Sequence, residues 1–466
     1  MSLKTKKQAL EHYLSPKREC FAVPPHPDLK RRMDDLLIEL KSNQHENFLF
    51  NKLTFAEEPK VGLDDGLIYP GTQFPLGTSM APARSARSQQ PPLRGVLNVL
   101  VVLVEFPDIP FATPSNHYED LFFSTGVVPT GSVAEYYKEV TNGKISIQGD
   151  VIGPFMMPQP STAYANGKSG MGSTKPNAQT MARDAAHALP PGTMISQYDN
   201  DKDGYVDAFI IIHSGTGAEV TNSPNQIWSH KWVIDGGPYT PPGNSVNIYS
   251  YLTVPEDCKL GVCAHELGHL LFGFPDLYDT SYRSAGIGDW CLMSGGSWNN
   301  GGDTPAHPCA WCKANQGWVT INIPKTNQTG VKIDDVKTGY TIKKLWKNGM
   351  PANEYFLLEN RQLTNFDAYL PGGGLLIWHI DEAIPDNSNL HHYKVALMQA
   401  DGLQELEYNR NSGDSGDLYT GAAGSNTTFD ATSSPNSLSY GGVNSMVAVR
   451  NISASGNAIV CDIDVT

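Results

Sequence analysis

The segment Gly261–Phe272 contains the pattern His265-Glu266-Leu267-Gly268-His269, in which a glutamate follows the first of two histidines. Residues four apart on a helix lie on one face, so both imidazoles can bind one metal ion. Glu266 lies beside that metal, where it can accept a proton from an activated water. The pattern is typical of zinc metallopeptidases and predicts a helix that carries a metal site. The alternative is a buried helix with two hydrogen-bonded histidines.

Two histidines leave such a site incomplete, because catalytic zinc usually has three protein ligands and an open position. The next residues are Gly273-Phe274-Pro275-Asp276, and a glycine after a helix lets the chain turn back. The carboxylate of Asp276 can then point at the metal. We therefore predict His265, His269 and Asp276 as zinc ligands and Glu266 as the general base.

A second acidic segment, residues 199–207, matches the start of a calcium-binding loop, with carboxylates at positions 1, 3, 5 and 9 and glycine at position 6. Position 12 is Ile210 instead of glutamate, so the segment is not a complete EF-hand. Carboxylates this close repel one another unless a cation lies among them. The alternative is a solvated acidic turn, and Asp414 with Asp417 is a further calcium candidate. The predicted calcium ligands are the side chains of Asp199, Asp201, Asp203 and Asp207 and the carbonyl of Tyr205.

The net charge of −14 over 466 residues argues against nucleic acid or an anionic membrane surface as a partner. The longest apolar run, Val96–Val104, has the length and β-branching of a strand and is too short for membrane insertion. The sequence indicates no obligatory partner. The seven cysteines are an odd number, and Cys309-x-x-Cys312 has redox or metal spacing without a second matching pair. We expect structural thiols or disulfides, with a second metal site as the alternative.

Hydrophobic periodicity divides the chain into three predicted domains. Residues 1–92 form an N-terminal extension with helices at Lys4–Leu14 and Pro27–Leu40 and a Pro-, Gly- and Ser-rich linker at Tyr69–Pro92. Residues 93–320 alternate strands with helices, which predicts a mixed α+β catalytic domain. Residues 321–466 contain short strands between Gly, Asn and Asp turns, which predicts an antiparallel β-sandwich.

An N-terminal segment followed by a protease-sensitive linker is how a zymogen is laid out, although an ordinary surface loop explains the linker equally well. Cys20 is a candidate to fill the open metal position in such a zymogen, because a thiolate binds zinc strongly. The first residues, Met1–Lys7, are basic but are not followed by an apolar core, so no secretory signal is visible in this chain.

The chain resembles the immune inhibitor A family of secreted bacterial zinc metallopeptidases. The resemblance rests on the metal-binding helix, the Gly-x-Pro-Asp-x-Tyr-Asp segment after it, and the Leu292-Met293-Ser294 turn, which matches the methionine turn of metzincins. It covers roughly residues 95–465. Further matching segments are Ile227–Trp232, Thr304–His307, Asn353–Gln362 and Gly413–Leu418.

The resemblance implies a zincin (metzincin-type) fold, secretion, often as a proprotein, bound calcium, and proteolysis of protein or peptide substrates. It carries His265 and His269 over as zinc ligands, Asp276 as the third ligand and Glu266 as base. The chain departs from the family pattern at one point, because Gly273 and Asp276 each lie one residue further from His269. If the extra residue rotates Asp276 away, Asp279 or another carboxylate must substitute.

The sequence thus predicts a secreted zinc endopeptidase with a zincin-like α+β catalytic domain, bound Zn²⁺ and Ca²⁺, and no nucleic-acid partner. One alternative is a non-catalytic, calcium-stabilised binding or adhesion protein on a degenerate peptidase fold. Another is a zinc hydrolase that acts on bonds other than peptides. His230, His307 and Tyr278 are candidates to donate a hydrogen bond to the oxyanion at the scissile carbonyl, with structural roles as the alternative.

Overall fold

A computed structural model describes residues 3–15, 21–42, 92–421 and 426–466. The predictions for Cys20 and for most of the linker at 69–92 lie outside the described residues. The chain divides into two compact units. The first comprises Met1–Glu135 with Ile145–Pro275, and the second comprises Tyr136–Lys144 with Asp276–Thr466. The domain boundaries at residues 92 and 320 therefore stay predictions.

The first unit is mixed α and β, as the alternating sequence pattern predicts. Its helix α4 crosses the division between the units. The elements are α1 (Leu3–Tyr13), β1 (Phe21–Ala22), α2 (Pro27–Ser42), β2 (Gly95–Glu105), α3 (Ser115–Phe123), α4 (Val133–Val140), β3 (Ile145–Met156), α5 (Ser161–Ala165), α6 (Ala178–His187), β4 (Phe209–His213), α7 (Ala218–Thr221), β5 (His230–Val233), β6 (Ser250–Pro255) and α8 (Leu260–Phe272).

Local sequence signals explain where several of these helices begin. At the start of α4, the Ser132 hydroxyl accepts from the Glu135 backbone N–H at 3.1 Å, while the Glu135 carboxylate accepts from the Ser132 N–H at 3.0 Å. This reciprocal capping satisfies two backbone donors that the helix itself leaves unpaired. Ser132 therefore caps the start of α4. Asn177 and Thr180 form the same kind of box at the start of α6.

The sheet of the first unit has six strands in the order β1-β5-β6-β4-β2-β3. Strands β3, β2, β4 and β6 run parallel, and β5 pairs antiparallel with β6. Val99 to Val104 of β2 are all fully buried, which means that both faces of the sheet are covered. Helix α8 packs against β5 and β6, so the metal-binding pattern lies next to the antiparallel side of the sheet.

The second unit consists mainly of strands, as predicted for the C-terminal part of the chain. Six short 3₁₀ helices complete the described elements of the two units, at Ser196–Tyr198, Gly288–Trp290, Gly295–Gly302, Lys347–Gly349, Asn365–Asp367 and Ser415–Asp417. The helices and strands of the second unit are α9 (Ala310–Asn315), β7 (Thr320–Asn322), β8 (Gln328–Asp334), α10 (Val336–Gly339), β9 (Thr341–Leu345), β10 (Glu354–Arg361), β11 (Gly374–Asp381), β12 (Val395–Leu397), β13 (Ala448–Arg450) and β14 (Ala458–Asp464).

Two sheets make up the second unit: a five-stranded sheet in the order β12-β11-β10-β9-β7 and a three-stranded sheet in the order β13-β14-β8. All pairings are antiparallel except that of β7 with β9. One apolar cluster contains side chains from both sheets, including Phe356 and Ile377 from the first and Val449 and Ile459 from the second. Among the described residues, no helix is both long and apolar enough to cross a membrane.

Candidate metal centre

Helix α8 carries the metal-binding pattern and is buried over its whole length, from Leu260 to Phe272. Gly273 ends it in the left-handed conformation with φ of 64°, and the Phe274 N–H donates to the Gly268 carbonyl at 3.2 Å. A residue with a side chain is strained at this φ, so glycine is the residue that the turn requires. The predicted reversal of the chain after the helix is therefore present.

The two histidines of the pattern lie on one side of α8. Their Nε2 atoms are 3.0 Å apart, and both side chains are fully buried. The Nδ1 of His269 lies 2.6 Å from the Phe274 carbonyl oxygen, which can only accept a hydrogen bond. Nδ1 therefore carries the proton, and the lone pair of Nε2 faces His265. This tautomer is the one that a metal-binding histidine needs.

Asp276 joins the two histidines. One ligand atom from each of His265, His269 and Asp276 lies within 4.8 Å of the others, and all three residues are buried. Two imidazoles and one carboxylate on a single stretch of chain are a donor set that suits zinc. Glu266 is fully buried on the same helix, one residue after the first ligand candidate. The extra residue before Gly273 is accommodated in α8 and its turn without removing Asp276 from the group.

Asp279, the alternative third ligand, has a different set of contacts. Its Oδ1 accepts from the Ser281 N–H at 2.8 Å, and its Oδ2 accepts from the Ser284 N–H at 3.1 Å and the Ser284 hydroxyl at 3.0 Å. Burial raises the pKa of its carboxyl, while these hydrogen bonds act to lower it. Asp279 therefore holds the loop that follows Asp276.

The segment with Met293 is hydrogen-bonded to the residue that follows Asp276. The Leu277 N–H, next to Asp276, donates to the Met293 carbonyl at 2.8 Å, and the Met293 side chain is fully buried. This hydrogen bond links the residue after the third ligand candidate to the predicted methionine turn.

The remaining histidines of interest have structural partners. The Nδ1 of His230 lies 2.6 Å from the Trp228 carbonyl and its Nε2 lies 2.9 Å from the Tyr251 hydroxyl, and burial lowers its pKa to about 4. The Nε2 of His307 lies 2.8 Å from the Glu139 carboxylate. Both histidines therefore have partners that hold them in place, as the structural alternative for these residues predicts.

The acidic loop places three of its predicted calcium ligands together. Ligand oxygens of Asp199, Asp201 and Asp203 lie within 4.8 Å of one another. Asp207 lies outside this group, and its carboxylate accepts from the Asn200 side-chain amide at 3.0 Å. Tyr205, whose carbonyl is the fifth predicted ligand, donates its N–H to the Asp203 carboxylate at 2.9 Å. Burial, followed by the charge of Asp201, raises the pKa of Asp203 to about 6 and that of Asp207 to about 7.

The C-terminal acidic pair predicted from sequence is in contact, since the Asp417 carboxylate accepts from the Asp414 N–H at 3.0 Å, but Asp417 is not part of the group of ligand oxygens around Asp414. Asp414 lies with Asp401 and Glu405, whose ligand oxygens are within 4.8 Å of one another. Asp417 also accepts a hydrogen bond at 3.0 Å from the indole N–H of Trp290, and burial raises its pKa to about 7. Asp414 is therefore grouped with Asp401 and Glu405, which the sequence pattern did not indicate as calcium ligands.

Sequence reasoning missed one neighbour of the metal centre. The ring of Phe21 stacks on the ring of His269 with centroids 4.2 Å apart. Strand β1 carries Phe21 there by pairing antiparallel with β5, Phe21 opposite Lys231 and Ala22 opposite His230. A two-residue strand has no periodicity that a sequence pattern can reveal, so only the fold locates it.

Part of the chain matches a known protein family. Residues 96–325 match the family model described as the catalytic domain of the immune inhibitor A peptidase M6 family. The chain is 30% identical over 269 residues to the pre-pro-metalloprotease PrtV of Vibrio cholerae serotype O1, covering 46% of this chain and 29% of that protein. It is 31% identical over 251 residues to immune inhibitor A of Bacillus thuringiensis subsp. alesti, covering 43% of this chain and 36% of that protein.

The chain thus matches about a third of the length of each of these relatives, at 29% and 36%. The matched family segment includes α8, Asp276 and the Met293 turn. The resemblance drawn from the sequence motifs is confirmed.

Proposed function

We propose that this chain, whose residues 96–325 belong to the immune inhibitor A peptidase M6 family, is a secreted zinc endopeptidase that hydrolyses protein substrates. The observation that carries the proposal is the buried group formed by His265 and His269 of α8, the helix that also carries Glu266, and Asp276 of the turn after it. A zincin-type catalytic domain and a C-terminal β-sandwich are part of the proposal. The mixed sheet beside α8 and the two sheets that share one core support them.

A zinc ion held by these three side chains would supply Lewis acidity, which polarises the scissile carbonyl and lowers the pKa of water. His269 is ready to bind it, since its Nδ1 proton is committed to the Phe274 carbonyl. Glu266 accepts the proton of the attacking water and delivers it to the leaving amine. Its position next to His265 on a rigid, buried helix keeps the carboxylate near the water.

We also propose that the N-terminal segment inhibits the enzyme as a propeptide. The pairing of β1 with β5 extends the sheet at the side where α8 packs, in the way that an extended substrate adds a strand to a sheet edge. Val23 continues the contact, because its N–H donates to the Ser229 carbonyl at 3.2 Å and its carbonyl accepts from the Trp228 indole at 2.9 Å. Phe21 covers the His269 ring. An extended substrate could not occupy the same edge while this segment is bound.

Calcium binding by Asp199, Asp201 and Asp203 is the remaining part of the proposal. Their oxygens are close enough to surround one cation, and oxygen ligands suit Ca²⁺. The non-catalytic alternative is not favoured, because a complete donor set and Glu266 are both present on α8 and its turn.

The decisive experiment replaces Glu266 by Gln in the full chain and measures both hydrolysis of a denatured protein substrate and zinc content. Loss of the general base should lower turnover by about 10²- to 10⁴-fold, while zinc content remains that of the wild type. As a control, His265→Ala should lose the zinc ion of this site and, with it, activity. Full activity in the Glu266→Gln protein would refute the mechanism, and loss of zinc from it would mean that Glu266 supports the metal instead.

A further inference from the structure

Three cysteines of the second unit meet in its interior. One sulfur each from Cys291, Cys309 and Cys312 lies within 4.8 Å of the others, and all three residues are fully buried. The Sγ atoms of Cys309 and Cys312 are 3.8 Å apart. Two sulfurs at the usual zinc–sulfur distance from a tetrahedral ion are also about 3.8 Å apart. The spacing therefore fits shared coordination, and it is much longer than a disulfide bond.

Backbone N–H groups point at one of these sulfurs. The Sγ of Cys291 accepts from the Met293 N–H at 3.4 Å and from the Cys309 N–H at 3.2 Å. Two N–H donors on one buried sulfur stabilise it as a thiolate, which is the form that binds metals. Backbone N–H donors to coordinating sulfur are the supporting contacts that orient such ligands.

The two chain segments that carry the sulfurs are also held by contacts that do not involve the sulfurs. The guanidinium of Arg361 donates to the Trp290 carbonyl at 2.7 Å and to the His307 carbonyl at 3.4 Å, next to each cysteine segment. Arg361 is itself paired with Asp367, which also accepts from the His307 N–H at 3.0 Å. The cysteines are thus preorganised by a buried network, as a binding site requires.

We propose that Cys291, Cys309 and Cys312 form a second, structural zinc site in this protein. Thiolates select soft and borderline ions, of which Zn²⁺ is one, over calcium and magnesium. The site differs from the centre at α8 in its ligand chemistry, since its donors are all sulfur.

The thiolate site is connected to the methionine turn. Cys291 lies two residues before Met293, whose N–H donates to the Cys291 sulfur and whose carbonyl accepts from the Leu277 N–H. An ion at the three sulfurs would therefore hold the segment that is hydrogen-bonded to the residue following Asp276. The role of this zinc is to stabilise that segment.

The first test is elemental analysis of the full chain purified without chelators. We expect about two zinc ions per chain, one for each site. Cys291→Ser combined with Cys312→Ser should remove about one of them, and the matched control Cys461→Ser, at another buried cysteine, should remove none. His265→Ala should also remove one and leave the thiolate zinc, so failure of the proposed peptidase site and failure of this site give different results.

A second test needs no variant and remains informative if the cysteine variants fold poorly. Cobalt exchanged into the wild-type protein should show intense near-ultraviolet thiolate-to-metal charge transfer, which histidine and carboxylate ligands alone do not produce. Mass spectrometry after alkylation of the denatured, unreduced chain should find all three cysteines as thiols. Absence of the charge-transfer band, or a Cys309–Cys312 disulfide in the purified protein, would overturn the proposal.

Discussion

Two of the groups with carboxylate ligands, His265–His269–Asp276 and Asp199–Asp201–Asp203, differ in what holds them in place. The first is completely buried, and His269 is fixed by a hydrogen bond to the Phe274 carbonyl. In the second, the carboxylates are partly exposed and accept backbone N–H groups of their own loop, such as the Asp203 N–H at 3.0 Å from Asp199. The buried group depends on a metal to compensate its desolvated donors, whereas the loop has water and its own amides.

This difference has a consequence for affinity and for function. A buried, preorganised site with mixed nitrogen and oxygen ligands binds zinc tightly and can direct its Lewis acidity at a substrate. A half-exposed oxygen site exchanges its ion readily, and its occupancy follows the calcium concentration and the pH. We therefore propose a chemical role for the first group and a stabilising role for the second.

The largest effect is expected at the third ligand of the buried group. Asp276→Asn removes the carboxylate charge from a buried site, so zinc content should fall. Activity should drop by at least about 100-fold, which is the largest loss expected when a residue that only supports a metal ligand is replaced. Elemental analysis and hydrolysis of a denatured protein substrate measure the two quantities. Asp279→Asn is the matched control, since Asp279 bonds to Ser281 and Ser284. Normal zinc in the Asp276 variant, with loss in the Asp279 variant, would reverse the assignment of the third ligand.

An intermediate effect is expected in the acidic loop. Asp203→Asn should weaken calcium binding about tenfold, equivalent to about 1.4 kcal/mol, as measured by calorimetric titration of the full chain. Asp207→Asn tests whether three or four carboxylates bind the ion. The Asp207 carboxylate accepts a hydrogen bond from the Asn200 side chain, so replacing Asp207 should weaken calcium binding less than replacing Asp203. Equal losses in the two variants would favour the four-carboxylate loop predicted from sequence.

The same loop should respond to pH. The pKa of Asp203 is raised to about 6 by burial and by the charge of Asp201. Because protons compete with calcium for this carboxylate, calcium affinity should fall as the pH is lowered through about 6. Calcium binding that is unchanged between pH 7 and pH 5 would show that Asp203 is not a ligand.

Features that depend on residues close together in the sequence could be predicted, whereas features that depend on the fold could not. Three features follow from spacings of three or four residues, which helix geometry fixes. They are the helix with His265 and His269, the left-handed Gly273, and the start of α4 at Ser132. Cys291, in contrast, meets Cys309 and Cys312 only because the fold brings two segments together. No pattern along the chain encodes that meeting.

The strands show the same limit. The β-branched run Val96–Val104, predicted to be a strand, is strand β2, which extends one residue further at each end. Strand β5 was missed because His230 and Lys231 look like surface residues, yet both are fully buried between neighbouring strands. The pairing of β1 with β5 depends on the tertiary fold, and the two residues of β1 are too few to specify it.

The smallest effect is expected where the N-terminal segment covers the buried group, because the change there removes one aromatic contact and leaves the predicted metal ligands intact. Phe21→Ala removes the ring that stacks on His269, and an aromatic pair contributes about 0.5–1.5 kcal/mol beyond its buried area. The fraction of molecules with a displaced segment, and with it the initial rate of hydrolysis, should rise about 2- to 10-fold. Ile38→Ala, at an exposed position of α2, is the control and should leave the rate unchanged. Calcium affinity should be the same in both variants, because the ring of Phe21 stacks on His269 of the buried group. A Phe21→Ala enzyme no faster than the wild type would mean that the segment packs on the metal centre without inhibiting it, and the difference between the two groups would then be one of burial alone.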